Sequence, residues 1–253
     1  MIERTHQDRS SGGVTETAAT THVLFDFFGT LVDYSPSRTE QGYERSFDLL
    51  QAAGSKLDYE AFLSLWSEVS GEFDRVAERT HREFSMDDLG REFLRRAIDA
   101  PADGIVHDFV QTYVSEWNKG VRYFEELPAI LERLSRSFRL AIITNTHDAD
   151  LVPNHLECMG IAGLFSHVVT SVEVGKRKPA PDIFEHALRV LQVGAERCVY
   201  VGDSYEADYV GARAAEIRGL LIDPRRQAPI ALADRLESIL EVESLLGRRP
   251  TRR

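Results

Sequence analysis

The apolar run VLFDFF at residues 23–28, closed by Gly29, constrains the fold more than any other feature. Its odd and even positions are both apolar, so a strand formed here would present apolar side chains on both faces. Such a strand is typical of the interior of a parallel sheet that is covered by helices on both sides. The run is interrupted by one carboxylate, Asp26. The sequence therefore predicts a parallel sheet in which this strand ends in Asp26.

From Val121 onward, short apolar segments alternate with amphipathic ones. The predicted strands are Leu140–Thr144, Val168–Thr170, Cys198–Gly202 and Gly219–Ile222. The predicted helices cover residues 127–136, 149–159, 181–192, 206–217 and 228–246. This alternation predicts βαβ units and a Rossmann-like, three-layer α/β core, with the functional site at the carboxyl ends of the strands.

Residues 36–119 have a different pattern. Apolar residues recur at helical spacing, and turn signals divide the stretch into about four helices with no convincing strand. We therefore predict an all-α bundle inserted into an α/β core made of residues 21–35 and 120–247. Trp66 and Trp117 are interpreted as packing residues of that bundle. Residues 1–20 are predicted to be a flexible leader and residues 248–253 a flexible tail.

Composition restricts the classes of partner. The formal net charge of −11 argues against a nucleic-acid partner, because phosphate backbones reward clustered Lys and Arg. No apolar run is long enough to cross a bilayer, and the first residues do not resemble a signal peptide. The chain has two cysteines, which do not make a disulfide framework. We expect a cytoplasmic protein, monomeric or homodimeric, that acts on a small molecule.

Polar residues follow four of the apolar segments, at the points where a parallel sheet would bring them together. Asp26 ends the first strand, and Thr144-Asn145 end the strand at 140. Lys178 lies in the loop after the strand at 168. Gly202-Asp203-Ser204 end the strand at 198, and Asp208 follows five residues after Asp203. Any one of these residues could be a helix cap or a solvated loop residue, but their order and placement together predict an active site.

These four motifs resemble those of the haloacid dehalogenase superfamily of hydrolases: D-x-x-G-T from Asp26, then Thr144, then Lys178 in K-P-x-P, then the G-D-S motif at Gly202 with Asp208. The resemblance covers residues 22 to about 225. The helical insertion is similar to the cap domain of one branch of that superfamily. The resemblance implies that the cap closes over the site, excludes water and selects the substrate.

The resemblance implies a phosphatase in which Asp26 attacks phosphorus and forms an acyl phosphate. Asp203 and Asp208 would hold Mg²⁺ together with Asp26 and the backbone carbonyl of Phe28. Thr144 and Lys178 would bind the phosphoryl oxygens, with a further hydrogen bond from Asn145. A sugar phosphate or a related small organic phosphate is the substrate that the resemblance suggests.

Phe28 is the one departure from this pattern. Most phosphatases of the superfamily carry a second aspartate there, which protonates the leaving oxygen and later deprotonates the attacking water. General acid–base catalysis typically contributes about 10²–10⁴ in rate, so the chain needs another acid or a substrate with a good leaving group. His147 and His81 are the titratable candidates, although each has a simpler interpretation as a surface or loop histidine.

Three alternatives remain open. The 2-haloacid dehalogenases carry an aromatic residue at the position of Phe28, but they lack the two metal-binding carboxylates and have an arginine near the position of Ser67. A phosphonatase would need a cap lysine, for which only Lys56 and Lys119 are available. A non-catalytic binding module on the same scaffold would have no reason to retain the nucleophile, the lysine and both metal ligands.

Overall fold

A computed structural model gives the fold and describes residues 19–34, 42–99, 101 and 104–247. The predicted leader and tail lie outside the described residues, apart from the first residues before the sheet. The strands are β1 (His22–Phe25), β2 (Val32–Tyr34), β3 (Val121–Tyr123), β4 (Arg139–Thr144), β5 (Phe165–Thr170), β6 (Cys198–Gly202), β7 (Arg218–Ile222) and β8 (Arg235–Leu236). Six of them form one parallel sheet in the order β5-β4-β1-β6-β7-β8, and β2 pairs with β3 in antiparallel fashion.

The helices alternate with the strands of the large sheet and also fill the interval between β2 and β3. They are α1 (Glu44–Ala52), α2 (Tyr59–Thr80), α3 (Met86–Ala97), α4 (Ile105–Trp117), α5 (Leu127–Ser135), α6 (Leu151–Cys158), α7 (Ser171–Val174), α8 (Pro181–Leu191), α9 (Gly211–Ala214) and α10 (Val242–Gly247). A π-helical turn, Tyr205–Val210, leads into α9. Within the described ranges, no helix combines the length and apolarity required to span a membrane.

Strand β1 is the centre of the sheet, as its two apolar faces predicted. It pairs in parallel with β4 on one side and β6 on the other. Val23 and Phe25 belong to the apolar cluster on one face, and Leu24 belongs to the cluster on the other; all three are fully buried. The predicted α/β class with covered faces is confirmed.

Helices α1 to α4 form a separate layer, which we call the helical insert (residues 44–117). It has an apolar cluster of its own, made largely of rings. Phe93 stacks on Phe109 at 5.1 Å between ring centroids, and Trp66 packs edge-on against Phe93 at 5.1 Å. The strands β2 and β3, which flank the insert, were not predicted, because three residues are too few to show a strand periodicity.

The predicted helix over residues 228–246 is wrong in its first half. That stretch contains β8 and two short 3₁₀ turns, and only α10 is α-helical. The cause is tertiary: Asp223 forms an ion pair with Arg235 and its backbone N–H donates to the carbonyl of Leu236 at 2.9 Å. Leu236 is thereby held in the apolar cluster beside β7. An edge strand is the result where amphipathic spacing had indicated a helix.

We expect Phe93→Ala to lower the free energy of unfolding by about 3–5 kcal/mol, since a fully buried ring is removed and leaves a cavity among three other rings. Urea denaturation followed by circular dichroism measures the change. Val76→Ala on α2 is the control: Val76 is exposed, and its loss should change stability by less than about 0.5 kcal/mol. An equal effect of both variants would contradict the description of the ring cluster as the core of the insert.

Candidate active site

The carboxyl ends of the central strands bring the predicted site residues to one edge of the sheet. Asp26 directly follows β1, and Thr144 is the last residue of β4. Asp203 directly follows β6, and Asp208 lies on the adjoining π-helical turn. Lys178 comes from the loop between α7 and α8. Because β1 lies between β4 and β6, these side chains converge around Asp26.

The chain turns sharply after Asp26, and Gly29 makes the turn possible. The carbonyl of Phe27 accepts hydrogen bonds from the backbone N–H groups of three following residues, Leu31 at 2.8 Å among them. Gly29 has a φ of +85°, and a Cβ there would lie 2.4 Å from the Oδ2 of Asp203. A side chain at position 29 would therefore be strained and would also displace Asp203.

Lys178 lies at the centre of the charged network. Its Nζ donates to Asp26 Oδ1 at 2.8 Å, to Asp208 Oδ1 at 2.6 Å and to the Tyr200 hydroxyl at 2.8 Å. The ammonium is almost completely buried. Burial by itself would lower its pKa, but the carboxylates of Asp208 and Asp26 outweigh that effect and raise the pKa above the usual value. Lys178 therefore stays charged and offsets the negative charge around Asp26.

The nucleophile candidate is held in one orientation. Thr144 Oγ1 donates to Asp26 Oδ1 at 2.8 Å, which is the oxygen that also accepts from Lys178. The other oxygen, Oδ2, has no hydrogen-bond partner among the described residues. Burial raises the pKa of Asp26, and the nearby Lys178 opposes that shift. The arrangement fixes one carboxylate oxygen and leaves the other to react.

Asn145 contacts Lys178 in a different way from the one predicted. Its Oδ1 accepts from the backbone N–H of Lys178 at 2.8 Å, and its Nδ2 donates to the Lys178 carbonyl at 3.1 Å. Both ends of the amide are therefore bonded to the backbone of the lysine loop. The side chain positions Lys178 at the sheet edge, while a hydrogen bond from it to phosphate stays a prediction.

Three carboxylates lie close enough to share a cation. Ligand oxygens of Asp26, Asp203 and Asp208 lie within 4.8 Å of one another. Loss of hydration raises the pKa of Asp203 to about 7, and repulsion from Asp26 and Asp208 adds to the shift. Such repulsion is relieved by a bound cation, and an all-oxygen donor set suits Mg²⁺. These residues fit the predicted metal. A contribution from the Phe28 carbonyl stays a prediction.

The Phe28 side chain belongs to an aromatic group on the insert side of the site. Its ring packs edge-on against Trp117 at 5.3 Å and Tyr34 at 5.9 Å. His155, at 6.0 Å, is also in contact. Both nitrogens of that buried histidine are engaged, Nδ1 with the Tyr123 hydroxyl and Nε2 with Asn118 Oδ1. Neither Phe28 nor His155 therefore provides a free acid.

A cavity of about 310 Å³ lies between this sheet edge and the helical insert. The sheet edge supplies the charged residues described above, and the insert supplies an aromatic roof. The roof residues are Trp66, Phe84, Tyr113 and Trp117. The interpretation of Trp66 and Trp117 as packing residues is thus incomplete, because both pack in or against the insert's apolar cluster and also line the cavity. The volume suits a small organic ligand.

The sequence did not identify every residue of the site. Tyr200 was treated as part of an apolar strand, yet its hydroxyl contacts Lys178 and donates toward the Ile143 carbonyl at 2.8 Å. A phenol in the middle of the apolar β6 was the available signal. Of the two histidines considered, His147 lines the cavity, whereas His81 is not among its lining residues.

Comparison with known proteins gives one consistent family. The family model for haloacid dehalogenase-like hydrolases matches residues 20–216. The chain is 27% identical over 208 residues to a ribulose-1,5-bisphosphate 5-phosphatase of Halopiger xanaduensis, covering 82% of this chain and 87% of that one. It is 34% identical over 133 residues to a phosphoserine phosphatase of Thermus thermophilus, but spans only 52% of that protein's length.

A solved structure, the 2-haloacid dehalogenase from Pseudomonas syringae pv. Tomato DC3000, superposes with a TM-score of 0.69 at 26% identity, over 90% of this chain and 99% of that one. The haloacid dehalogenase-type phosphatase from Thermococcus onnurineus superposes at 0.60 and 22% identity, over 90% and 98%, which shows a shared fold. The extent of the family match, together with the sheet and its motifs, leads to one conclusion: this chain belongs to the haloacid dehalogenase-like hydrolase family.

Proposed function

We propose that this hydrolase releases phosphate from a small organic phosphate, such as a sugar phosphate or a related metabolite, through an aspartyl-phosphate intermediate on Asp26. In this proposal Mg²⁺ is held by Asp26, Asp203, Asp208 and the carbonyl of Phe28. The observation that carries the proposal is the position of Asp26. It accepts a hydrogen bond from a buried lysine, lies beside two further carboxylates and lines a cavity.

The chain's own residues account for the attack. In the free protein Thr144 and Lys178 hold Oδ1 of Asp26, so Oδ2 is the oxygen that we propose attacks phosphorus. When substrate binds, the Thr144 hydroxyl and one N–H of Lys178 would turn from Oδ1 to the phosphoryl oxygens and stabilise the negative charge that develops there. When Mg²⁺ is bound, it supplies the positive charge that lets a carboxylate approach a phosphate dianion. Attack splits one displacement into two easier steps.

The relatives support a phosphatase. The two curated relatives described above are named for their action on ribulose-1,5-bisphosphate and on phosphoserine, both small organic phosphates. We propose that the helical insert serves as a cap that covers such a substrate. Its aromatic side chains form the roof of the cavity and would exclude water from the reacting phosphorus.

A 2-haloacid dehalogenase is the second candidate, favoured by the ring at position 28 and by the likeness to the Pseudomonas enzyme. In that reaction a carboxylate displaces halide from carbon without a metal. The carboxylates of Asp203 and Asp208 argue against a metal-free dehalogenase. Two further negative charges beside Asp26 are energetically unfavourable unless a bound cation compensates them. A non-catalytic module is the third candidate, and the measurements below separate all three.

We expect Asp26→Asn to lower phosphate release at least about 10³-fold, since an amide cannot form the acyl phosphate. The assay is phosphate release from a panel of small organic phosphates in the presence of Mg²⁺. Asp33→Asn is the matched control and should keep wild-type activity, because Asp33 is the exposed middle residue of β2. Halide release from 2-haloacids that is insensitive to EDTA, with no phosphate release, would instead establish the dehalogenase. Release of neither phosphate nor halide would favour the non-catalytic binding module.

We expect EDTA to abolish phosphate release, and Mg²⁺ to restore it. Asp203→Asn should weaken Mg²⁺ binding at least about tenfold in a calorimetric titration, because one charged ligand is lost. Asp87→Asn, on the exposed surface of α3, is the control. Unchanged Mg²⁺ affinity in Asp203→Asn would refute the proposed metal ligands.

The apparent affinity for Mg²⁺ should fall as the pH is lowered below about 7. The pKa of Asp203 is raised to about 7 in the metal-free protein, so at lower pH the cation must displace a proton. The expected loss is about fivefold between pH 7 and pH 6. Calorimetric titrations of Mg²⁺ at pH 6, 7 and 8 measure it. Affinity that is independent of pH over this range would show that Asp203 is already ionised at pH 6.

A further inference from the structure

The loop that joins α2 to α3 in the helical insert lies directly on the loops at the sheet edge. The backbone N–H of Arg177 donates to the carbonyl of His81 at 3.1 Å, and that of Glu83 donates to Gly175 at 3.2 Å. The N–H of Met86 donates to the carbonyl of His147 at 2.8 Å. Residues 81–86 of the insert are thereby fixed beside His147 at the rim of the cavity.

Glu83 enters the core from this loop with its side chain fully buried. Its Oε1 lies 3.0 Å from Nδ1 of His147, and its Oε2 accepts from the Ser171 hydroxyl at 2.6 Å. The guanidinium of Arg177 lies 3.7 Å away. Burial alone would raise the pKa of Glu83, but its hydrogen bond and ion pair with His147, together with the charge of Arg177, lower it. Glu83 is therefore a carboxylate that faces the imidazole.

This contact determines which nitrogen of His147 is free to exchange a proton. A carboxylate can only accept, so Nδ1 carries the hydrogen and Nε2 is left as the nitrogen that can donate to or accept from a ligand. Nε2 has no hydrogen-bond partner among the described residues. The ring stacks on Phe84 at 4.0 Å between centroids, which restricts its rotation. The histidine thus has a fixed tautomer, a fixed plane and a negative charge behind it.

His147 lines the same cavity as Asp26 and Lys178. A phosphoryl transfer from an alkyl ester requires a proton on the departing oxygen, and Phe28 cannot supply it. Outside the carboxylate cluster and Lys178, the other cavity residues with ionisable groups are Asp74, Asp148, Arg177 and the phenols Tyr34 and Tyr113. Neither aspartate has a buried partner that fixes it, and a phenol is ordinarily a far weaker acid than an imidazolium. His147 is therefore the best-placed proton donor.

We propose that His147 is the general acid and base of this hydrolase, with Glu83 as the residue that positions it; this rests on the phosphatase activity proposed above. In the first step Asp26 Oδ2 bonds to phosphorus, the bond from phosphorus to the ester oxygen breaks, and the imidazolium gives its Nε2 proton to that oxygen. In the second step the neutral imidazole takes a proton from water, whose oxygen bonds to phosphorus. The acyl phosphate bond then breaks, which returns the Asp26 carboxylate.

The test compares three esters of similar shape whose leaving groups differ in basicity: 4-nitrophenyl, phenyl and benzyl phosphate. We expect His147→Gln to lower kcat/KM for benzyl phosphate by about 10²-fold or more. The change for 4-nitrophenyl phosphate should stay within about threefold, since 4-nitrophenolate leaves without a proton. With that ester the variant should show a burst of 4-nitrophenolate and a reduced kcat, because hydrolysis of the intermediate lacks its base.

Glu83→Gln tests the positioning role separately. The amide retains the shape but removes the charge that stabilises the imidazolium, so the alkaline limb of the kcat/KM profile for benzyl phosphate should move to lower pH. Glu83 contacts His147 directly, and Arg177 lies behind Glu83. The other charged groups of the cavity that act on this profile are Asp26, Asp74, Asp148, Lys178, Asp203 and Asp208. A merely structural role for Glu83 would lower the rate and leave the limb in place, which would overturn the assignment.

His107→Gln is the matched control, because His107 is exposed on α4 and is not among the residues that line the cavity. Thermal melts establish that each variant is folded. An equal loss with all three esters would make His147 structural and overturn the proposal, while the phosphatase would stand. Two other results would also overturn the assignment of His147. One is a leaving-group-dependent loss of kcat/KM in Asp74→Asn but not in His147→Gln. The other is a wild-type enzyme that releases phosphate from other esters but does not cleave benzyl phosphate. Absence of any Mg²⁺-dependent phosphate release by the wild type would refute the proposed function itself.

Discussion

The buried ammonium of Lys178 is the interaction on which the rest of the site depends. Two carboxylates at 2.6 and 2.8 Å from its Nζ would repel each other strongly without a positive charge between them. The same contacts orient Asp26 and raise the pKa of the lysine, so that it remains a cation. Asn145 fixes the lysine loop through two hydrogen bonds to its backbone. One ion-pair network therefore determines both the charge balance and the geometry of the nucleophile.

The parallel sheet makes this network possible because it brings together residues that are far apart in the sequence. With β1 between β4 and β6, residues 118 and 152 positions away from Asp26 in sequence lie within hydrogen-bond distance of it. The apolar clusters pack closely on both faces of the sheet and hold the strands in place. The positions of the polar side chains at the strand ends are fixed as a result. The site is thus a consequence of the sheet's topology together with a few residues placed at its edge.

The helical insert contributes what the sheet cannot. It closes the cavity with aromatic side chains, and through Glu83 it reaches a histidine of the core that faces the same space. Phe28, where the superfamily most often has an acid, instead packs against Trp117 of the insert. Position 28 therefore carries a ring in place of the acid, and a carboxylate–histidine pair lies at the rim of the cavity. In the proposed mechanism this pair supplies the proton, from the side where the insert contacts the core.

The sequence by itself determined the class of fold and predicted which side chains the sheet edge brings together. Three patterns can be recognised in the sequence alone. They are the apolar run on both sides of Asp26, the alternating segments after Val121, and the order of the four motifs. Tertiary structure decided the rest: β8 in place of a helix, Tyr200 as a partner of Lys178, and Glu83 as a partner of His147. Each of these features depends on contacts between residues that are distant in the chain, and the spacing of residues in the sequence does not predict such contacts. Only packing of the insert on the sheet edge brings Glu83, 64 positions before His147, within hydrogen-bond distance of it.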